Sequence, residues 1–305
     1  MRLRFGAAGF GLPGFQELGL RRLFPGLDDE ELAEWARARY TRGNAALWVA
    51  GLEPFDVDIP LLPGERIPCS EPEQVQGLVT PAYSSEGKGG VMLSLVGRRT
   101  SAFSVAAQLL EKRIHERLRL RAGLSYTVSG AYAPLDGLWA HVAFAADSLS
   151  EHERLVREEV WAELEEFAAN GPTAQELEQV AAGRLCDVQD PLYSLAELDF
   201  AVFNELAGAP VPSRADLAED IRELTSGSVA AAVDEILSSA IMLASDRTFV
   251  PAGFCAHSYG AGRNAVHGKC HPYGEAGGLP LGDSSGAFRP SRYPQRGRRL
   301  FARYA

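Results

Sequence analysis

Leu118–Ser129 reads LRLRAGLSYTVS, and this stretch decides how its surroundings are read. Leucine and arginine alternate up to Arg121, Gly123 follows, and from Leu124 apolar or aromatic residues alternate with serine and threonine. That sequence of events is a helix end, a residue free to take positive φ, and a strand start. Upstream, Phe103, Ala107, Leu110, Ile114 and Leu118 recur at intervals of three or four, predicting one long helix from Ser101 with a single apolar stripe. Before it, Gly90–Gly97 (GVMLSLVG) is apolar enough to be a buried strand. After it, Leu124–Tyr132 and Leu138–Ala145 predict an antiparallel hairpin across Pro134, Leu135, Asp136 and Gly137.

The remainder is largely helical. Ser150 with Glu153 has capping-box spacing ahead of a stripe of Val156, Val160, Leu164 and Phe167. Glu158, Glu159, Glu163, Glu165 and Glu166 lie opposite that stripe and predict a solvated face. Asn170-Gly171-Pro172 stops the helix, and Thr173 with Glu176 begins another. Further helices are predicted over 192–206, 213–224 and 226–237. Strand, helix, two strands and then helices is an α+β order, with an antiparallel sheet flanked by helices rather than alternating βαβ units.

Outside this unit the chain changes character. Asp28 and Asp29 mark a helix start, with Leu32, Trp35, Ala36 and Arg39 along one face, and Ala45–Ala50 (AALWVA) predicts a short strand. Residues 56–76 hold acids and prolines and read as a linker. Residues 246–305 become Gly-rich and end in six arginines without an acid, which predicts a poorly ordered tail. The glycines Gly6, Gly9, Gly11 and Gly14 lack the lysine and preceding strand of a phosphate loop.

Composition narrows the function classes. A formal charge of -10 argues against nucleic acid or an anionic membrane as partner. No run of 18 apolar residues exists to span a bilayer. Four scattered cysteines do not make a disulfide framework, and without a signal-peptide pattern the expected address is the cytoplasm.

Two segments resemble the M16 family of zinc peptidases, the pitrilysin, insulysin and mitochondrial-processing-peptidase group. Leu32–Pro54 (LAEWARARYTRGNAALWVAGLEP) is similar to the helix, turn and strand that close the family's first domain. Leu118–Ser129 resembles the second-domain stretch written L-R-E-x-x-G-L-x-Y-x-V, with Leu120 where the glutamate usually stands. The resemblance implies a LuxS/M16 metallopeptidase-like fold, with residues 1–55 as the end of a first domain, 56–76 as linker and 77–245 as a complete second domain. It also implies that Arg119 and Tyr126 take the place of an arginine and a tyrosine that reach the substrate from the non-metal domain. Read without the family, Arg119 is a helix-capping residue and Tyr126 a half-buried strand residue.

The family's peptidases bind zinc through H-x-x-E-H on a helix. None of the six histidines heads that motif. His267-Gly268-Lys269-Cys270-His271 has its length but puts cysteine where the catalytic glutamate belongs, in a Gly-rich stretch that does not predict a helix. Cys255, His257, His267, Cys270 and His271 are soft ligands within a short span, but their spacing is irregular for a zinc site, and incidental loop residues are the plainer reading. The expectation is therefore a non-catalytic, substrate-binding subunit with no cofactor of its own, forming a heterodimer with an HxxEH-bearing partner that carries the zinc. The alternatives are a scaffold on the peptidase fold with no proteolytic role, or a truncated remnant.

Overall fold

The structure is a computed structural model and describes residues 2–5, 28–48, 59–69, 71–87, 89–246, 250–259 and 266–269. All of these lie in one compact unit spanning Met1–Gly274, and residues 275–305 lie outside the described set.

Among the described residues, seven strands form one sheet in the order β3-β4-β2-β5-β1-β6-β7. They are β1 (Ala82–Ser84), β2 (Gly90–Arg98), β3 (Val128–Pro134), β4 (Trp139–Asp147), β5 (Ile241–Leu243), β6 (Cys255–Tyr259) and β7 (Val266–Lys269). The long antiparallel pair β2–β4 runs in register from Gly90 opposite Asp147 to Arg98 opposite Trp139. The predicted hairpin is β3–β4, although its first strand starts at Val128 rather than Leu124. The α+β class holds. The sheet is antiparallel from β3 through β5, and β1 runs parallel to both of its neighbours, β5 and β6.

The main core lies on one sheet face. Val91, Leu93 and Leu95 of β2 and Val142 and Phe144 of β4 point there, as period-two alternation requires. Against them pack α3 (Ser101–His115), α4 (Glu153–Asn170) and α9 (Ser226–Leu237). The predicted stripe of α3 is buried throughout, from Phe103 to Leu118, as are Val156, Val160, Leu164 and Phe167 of α4. Burying each such side chain contributes about 2 kcal/mol, so these stripes are what fix the helices to the sheet. The Thr173–Glu176 capping box forms at the start of α5 (Ala174–Gln189).

On the other face sits a short helix, α1 (Arg2–Phe5), whose Leu3 packs with Ala82 and Ile241. Arg4 is fully buried there. Its Nη2 donates to the carbonyl of Ser94 at 3.1 Å and to that of Ser239.

Several expectations need correction. The Ser150–Glu153 capping box does not form: α4 has His152 at its N-cap without a side-chain cap, and Glu153 is buried and turned elsewhere. Glu163 is buried rather than solvated. The helix α2 (Asp29–Arg39) exists, with Asp28 and Glu31 forming its capping box, but it buries no residue, and Leu32 and Trp35 are exposed. Ala45–Trp48 is not a strand, and Val49 and Ala50 lie outside the described residues. Within the expected linker, Leu62 bridges Thr41 and its carbonyl accepts from Arg42 N at 2.9 Å. Residues 255–259, expected in the tail, are strand β6 of the sheet. Three-residue strands such as β1 and β5 carry too little pattern to be seen in sequence, because their pairing is entirely non-local.

Candidate functional site

The end of α3 builds the site. Beyond His115 the helix widens into a π-helical turn, Glu116–Arg121, in which Ala122 N donates to Arg117 O at 3.1 Å. Such widened turns recur at functional sites because they re-aim side chains without ending the helix. Leu118 anchors the turn with no exposed surface, and Gly123, at φ 64°, reverses the chain so that Leu124 N reaches Leu118 O at 2.8 Å. A side chain bearing a Cβ is strained at that φ.

The arginines of this region divide sharply. Arg113 holds Glu176 with two bonds of 2.6 and 2.8 Å and donates to Gly171 O at 3.3 Å. The Arg113 guanidinium holds the Glu176 carboxyl down at about 2. Arg117 binds Glu159, Glu163 at 2.9 Å and Glu166 at 3.1 Å, all on α4. Desolvation pulls Arg117 down, but its bonds to Glu159 and Glu163 outweigh it and raise it above the ordinary value. These two arginines fasten the site's backbone to α4 and α5. Arg119 is different: it is exposed and, among the described residues, has no carboxylate partner. Its guanidinium carbon stands 5.1 Å from the centroid of the Tyr126 ring, and its Nη1 is 3.5 Å from His115 Nε2.

Tyr126 lies in a loop just before β3, not on the strand where it was expected, and is 77% exposed. One carboxylate oxygen fixes that loop. Asp147 Oδ1 accepts from Ser125 Oγ at 2.6 Å, Tyr126 N at 2.8 Å and Thr127 N at 2.7 Å. Desolvation raises Asp147, but these bonds, that from Ser125 foremost, carry it below its ordinary value. The Tyr126 backbone is thus held while its phenol projects to solvent beside Arg119. The arrangement presents a planar five-donor cation and a hydroxyl donor side by side, suited to a carbonyl or carboxylate. A guanidinium on an aromatic face keeps its fork directed outward with little loss of rotamer freedom.

Asp147 was not singled out in the sequence, and Glu159, Glu163 and Glu166 were expected on a solvated face rather than as a clamp on Arg117. Arg113 and Arg117, four apart on one helix, facing Glu159, Glu163 and Glu166 on the next, is the pattern that signals the clamp.

The cysteine and histidine candidates are only partly described. Cys255 and His257 share one face of β6 by alternation. His257 is buried and its Nε2 is 3.0 Å from Val79 O, so this nitrogen serves the backbone; desolvation lowers its pKa, opposed by that bond. His267 lies in β7 opposite Ser258, so the His267–His271 span does not begin on a helix. Cys270 and His271 lie outside the described residues. Among the described residues, no three of His, Cys, Asp and Glu are grouped to hold a metal ion. No helix among them is long and apolar enough to cross a membrane.

Residues 91–183 match the family model described as the peptidase M16 inactive domain. No curated protein matches the chain. Among solved structures, the peptidase M16 inactive domain from Pseudomonas fluorescens superposes with a TM-score of 0.54 at 16% identity, over 73% of this chain and 58% of that one. The first half of the periplasmic protease PqqL from Escherichia coli gives 0.44 at 15% identity, over 54% and 42%. The chain therefore spans less than two thirds of the length of these structures. The Pseudomonas likeness shows the fold, and the matched residues contain Arg119 and Tyr126.

Proposed function

We propose that this chain is a non-catalytic, peptide-binding subunit of an M16-type zinc peptidase, acting in the cytoplasm with a partner that bears HxxEH. The observation that carries the reading is the contrast between the arginines. Arg113 and Arg117 are saturated by glutamates, whereas the exposed Arg119 stands over the Tyr126 ring and, among the described residues, has no acidic partner. A stacked, unneutralised guanidinium beside a free phenol is a site for a carbonyl or carboxylate.

The division of labour follows from the chemistry. Hydrolysis by a zinc peptidase needs a metal-activated water, which the partner's zinc would supply when bound, and a substrate held in line with it. This chain's residues do not fit the metal role, since no pair of its histidines flanks a glutamate at helical spacing. Arg119 would hold a substrate oxygen by its fork, and Tyr126 would donate to a neighbouring carbonyl or a developing oxyanion. Each interaction orients the peptide and moves no proton from water.

The test is a mixing assay with an HxxEH-bearing chain of the same organism and a quenched fluorescent peptide. The mixture is expected to cleave the peptide faster than either chain alone. Arg119→Ala should lower that rate at least tenfold and Tyr126→Phe by a smaller factor, with thermal midpoints unchanged because both side chains are exposed. A mixture no faster than the metal-bearing chain alone refutes the reading.

A further inference from the structure

Strand β3 is the outermost strand of the sheet at the end where Arg119 and Tyr126 lie, and among the described residues it pairs only with β4. The direction of its backbone groups follows from one bond. Asp147 N donates to Thr127 O at 3.2 Å, so Thr127 faces β4. Alternation then turns Ser129, Ala131 and Ala133 toward β4, and turns Val128, Gly130, Tyr132 and Pro134 outward. Gly130 agrees: its N–H donates to Glu111 Oε1 at 2.7 Å, not to β4.

The outward row is guarded unevenly. Pro134 has no N–H, and Glu111 from α3 occupies that of Gly130, both ways of blunting an edge. Glu111 sits close enough that a Cβ at Gly130 would lie 2.9 Å from its carboxyl carbon. Val128 and Tyr132 keep an outward N–H and carbonyl with no partner among the described residues, and Val128 lies two residues from Tyr126. The open edge therefore begins beside the guanidinium of Arg119.

Chain polarity selects the occupant. β3 runs away from Tyr126, so a peptide added antiparallel to it runs toward Tyr126 and delivers its C-terminus there. A parallel peptide would bring its ammonium terminus against Arg119, which like charge disfavours. We infer that the Arg119–Tyr126 site takes the free C-terminal carboxylate of an extended peptide, whose last residues add antiparallel to the Val128 end of β3. This rests on the reading of Arg119 and Tyr126 as a peptide site and specifies its substrate class, chains with an unblocked C-terminus. Main-chain bonds would supply affinity with little regard to side chains, and the guanidinium would supply the terminal specificity.

The probes are fluorescein-labelled octapeptide pools with randomised side chains, ending in a free carboxylate or in a carboxamide, titrated with the full chain by fluorescence polarisation. The carboxylate pool is expected to bind about tenfold tighter. Arg119→Ala should abolish that difference, while Arg121→Ala, at the neighbouring exposed arginine, should keep it. Pools N-methylated at successive amides near the C-terminus should alternate between weakened and unaffected, since only every second amide faces β3. Equal binding of both pools, with Arg119→Ala weakening both, overturns this inference and leaves the peptide-binding reading standing. A uniform effect of N-methylation overturns the strand addition, and binding by neither pool overturns both readings together.

Discussion

His141 stands on β4 on the sheet face away from the main core, buried, with its Nε2 2.9 Å from Ser94 Oγ. Burial first, and positive charge nearby that includes Arg4, push its pKa down to about 3. Folding therefore keeps it neutral where the unfolded chain would take up a proton below about 6.5. The folded pKa is depressed, so its contribution is fully present above about 6.5 and is lost as pH falls toward about 3. Between pH 7 and pH 5 the loss should be about 2 kcal/mol, read from urea midpoints, and His141→Gln should remove most of that dependence. A variant with the same acid sensitivity as the parent would place the titrating group elsewhere. In the sequence His141 is only one of six histidines that head no zinc motif, because its neighbours Ser94 and Arg4 are brought to it by strand pairing and by α1. Arg119 and Tyr126 were legible for the opposite reason: they are only seven positions apart, and a helix end, a glycine and a strand start settle their proximity.

At the scale of elements, α4 shows where a local pattern loses to a distant partner. Ser150 and Glu153 have capping-box spacing, yet Glu153 accepts from Ser245 N at 2.6 Å, from Asp246 N at 2.7 Å and from Ser245 Oγ. Two backbone amides and a hydroxyl offer a buried carboxylate more than one amide of its own turn can. The bonds close the chain that leaves β5 onto the helix that follows β4, and Arg157, one turn on, stands 3.6 Å from Asp246 Oδ2. Glu153→Ala leaves buried donors without an acceptor and should cost about 2–3 kcal/mol. The amides of Ser245 and Asp246 should then exchange with solvent deuterons markedly faster, while those of the α9 core stay protected. Unchanged exchange at those two amides would show that the bonds do not hold the segment. Stripes and turns were readable because each repeats within one element; this contact spans 92 residues and has no local signature.

For the whole molecule, the sheet with α3, α4 and α9 carries the stability, and sequence patterning exposed that half because its apolar periods are long. The far side of the sheet was hidden, since β1 and β5 are three residues each and β6 lies in a Gly-rich stretch. Phe254 decides whether that far side is integral. It is buried against Trp161 of α4, ring centroids 4.7 Å apart, and the next residue donates from Cys255 N to Pro81 O at 2.8 Å as β6 joins β1. Phe254→Ala empties an aromatic site between helix and sheet and should cost about 3–5 kcal/mol. Leu32→Ala, on the exposed face of α2, should change stability by no more than about 0.5 kcal/mol. Both residues are large, apolar and outside the long periodic segments, so bulk hydrophobicity cannot separate them; only the packing does. Denaturation midpoints for the two variants that coincide would mean residues 254–259 act as an appendage, and the sheet would end at β1.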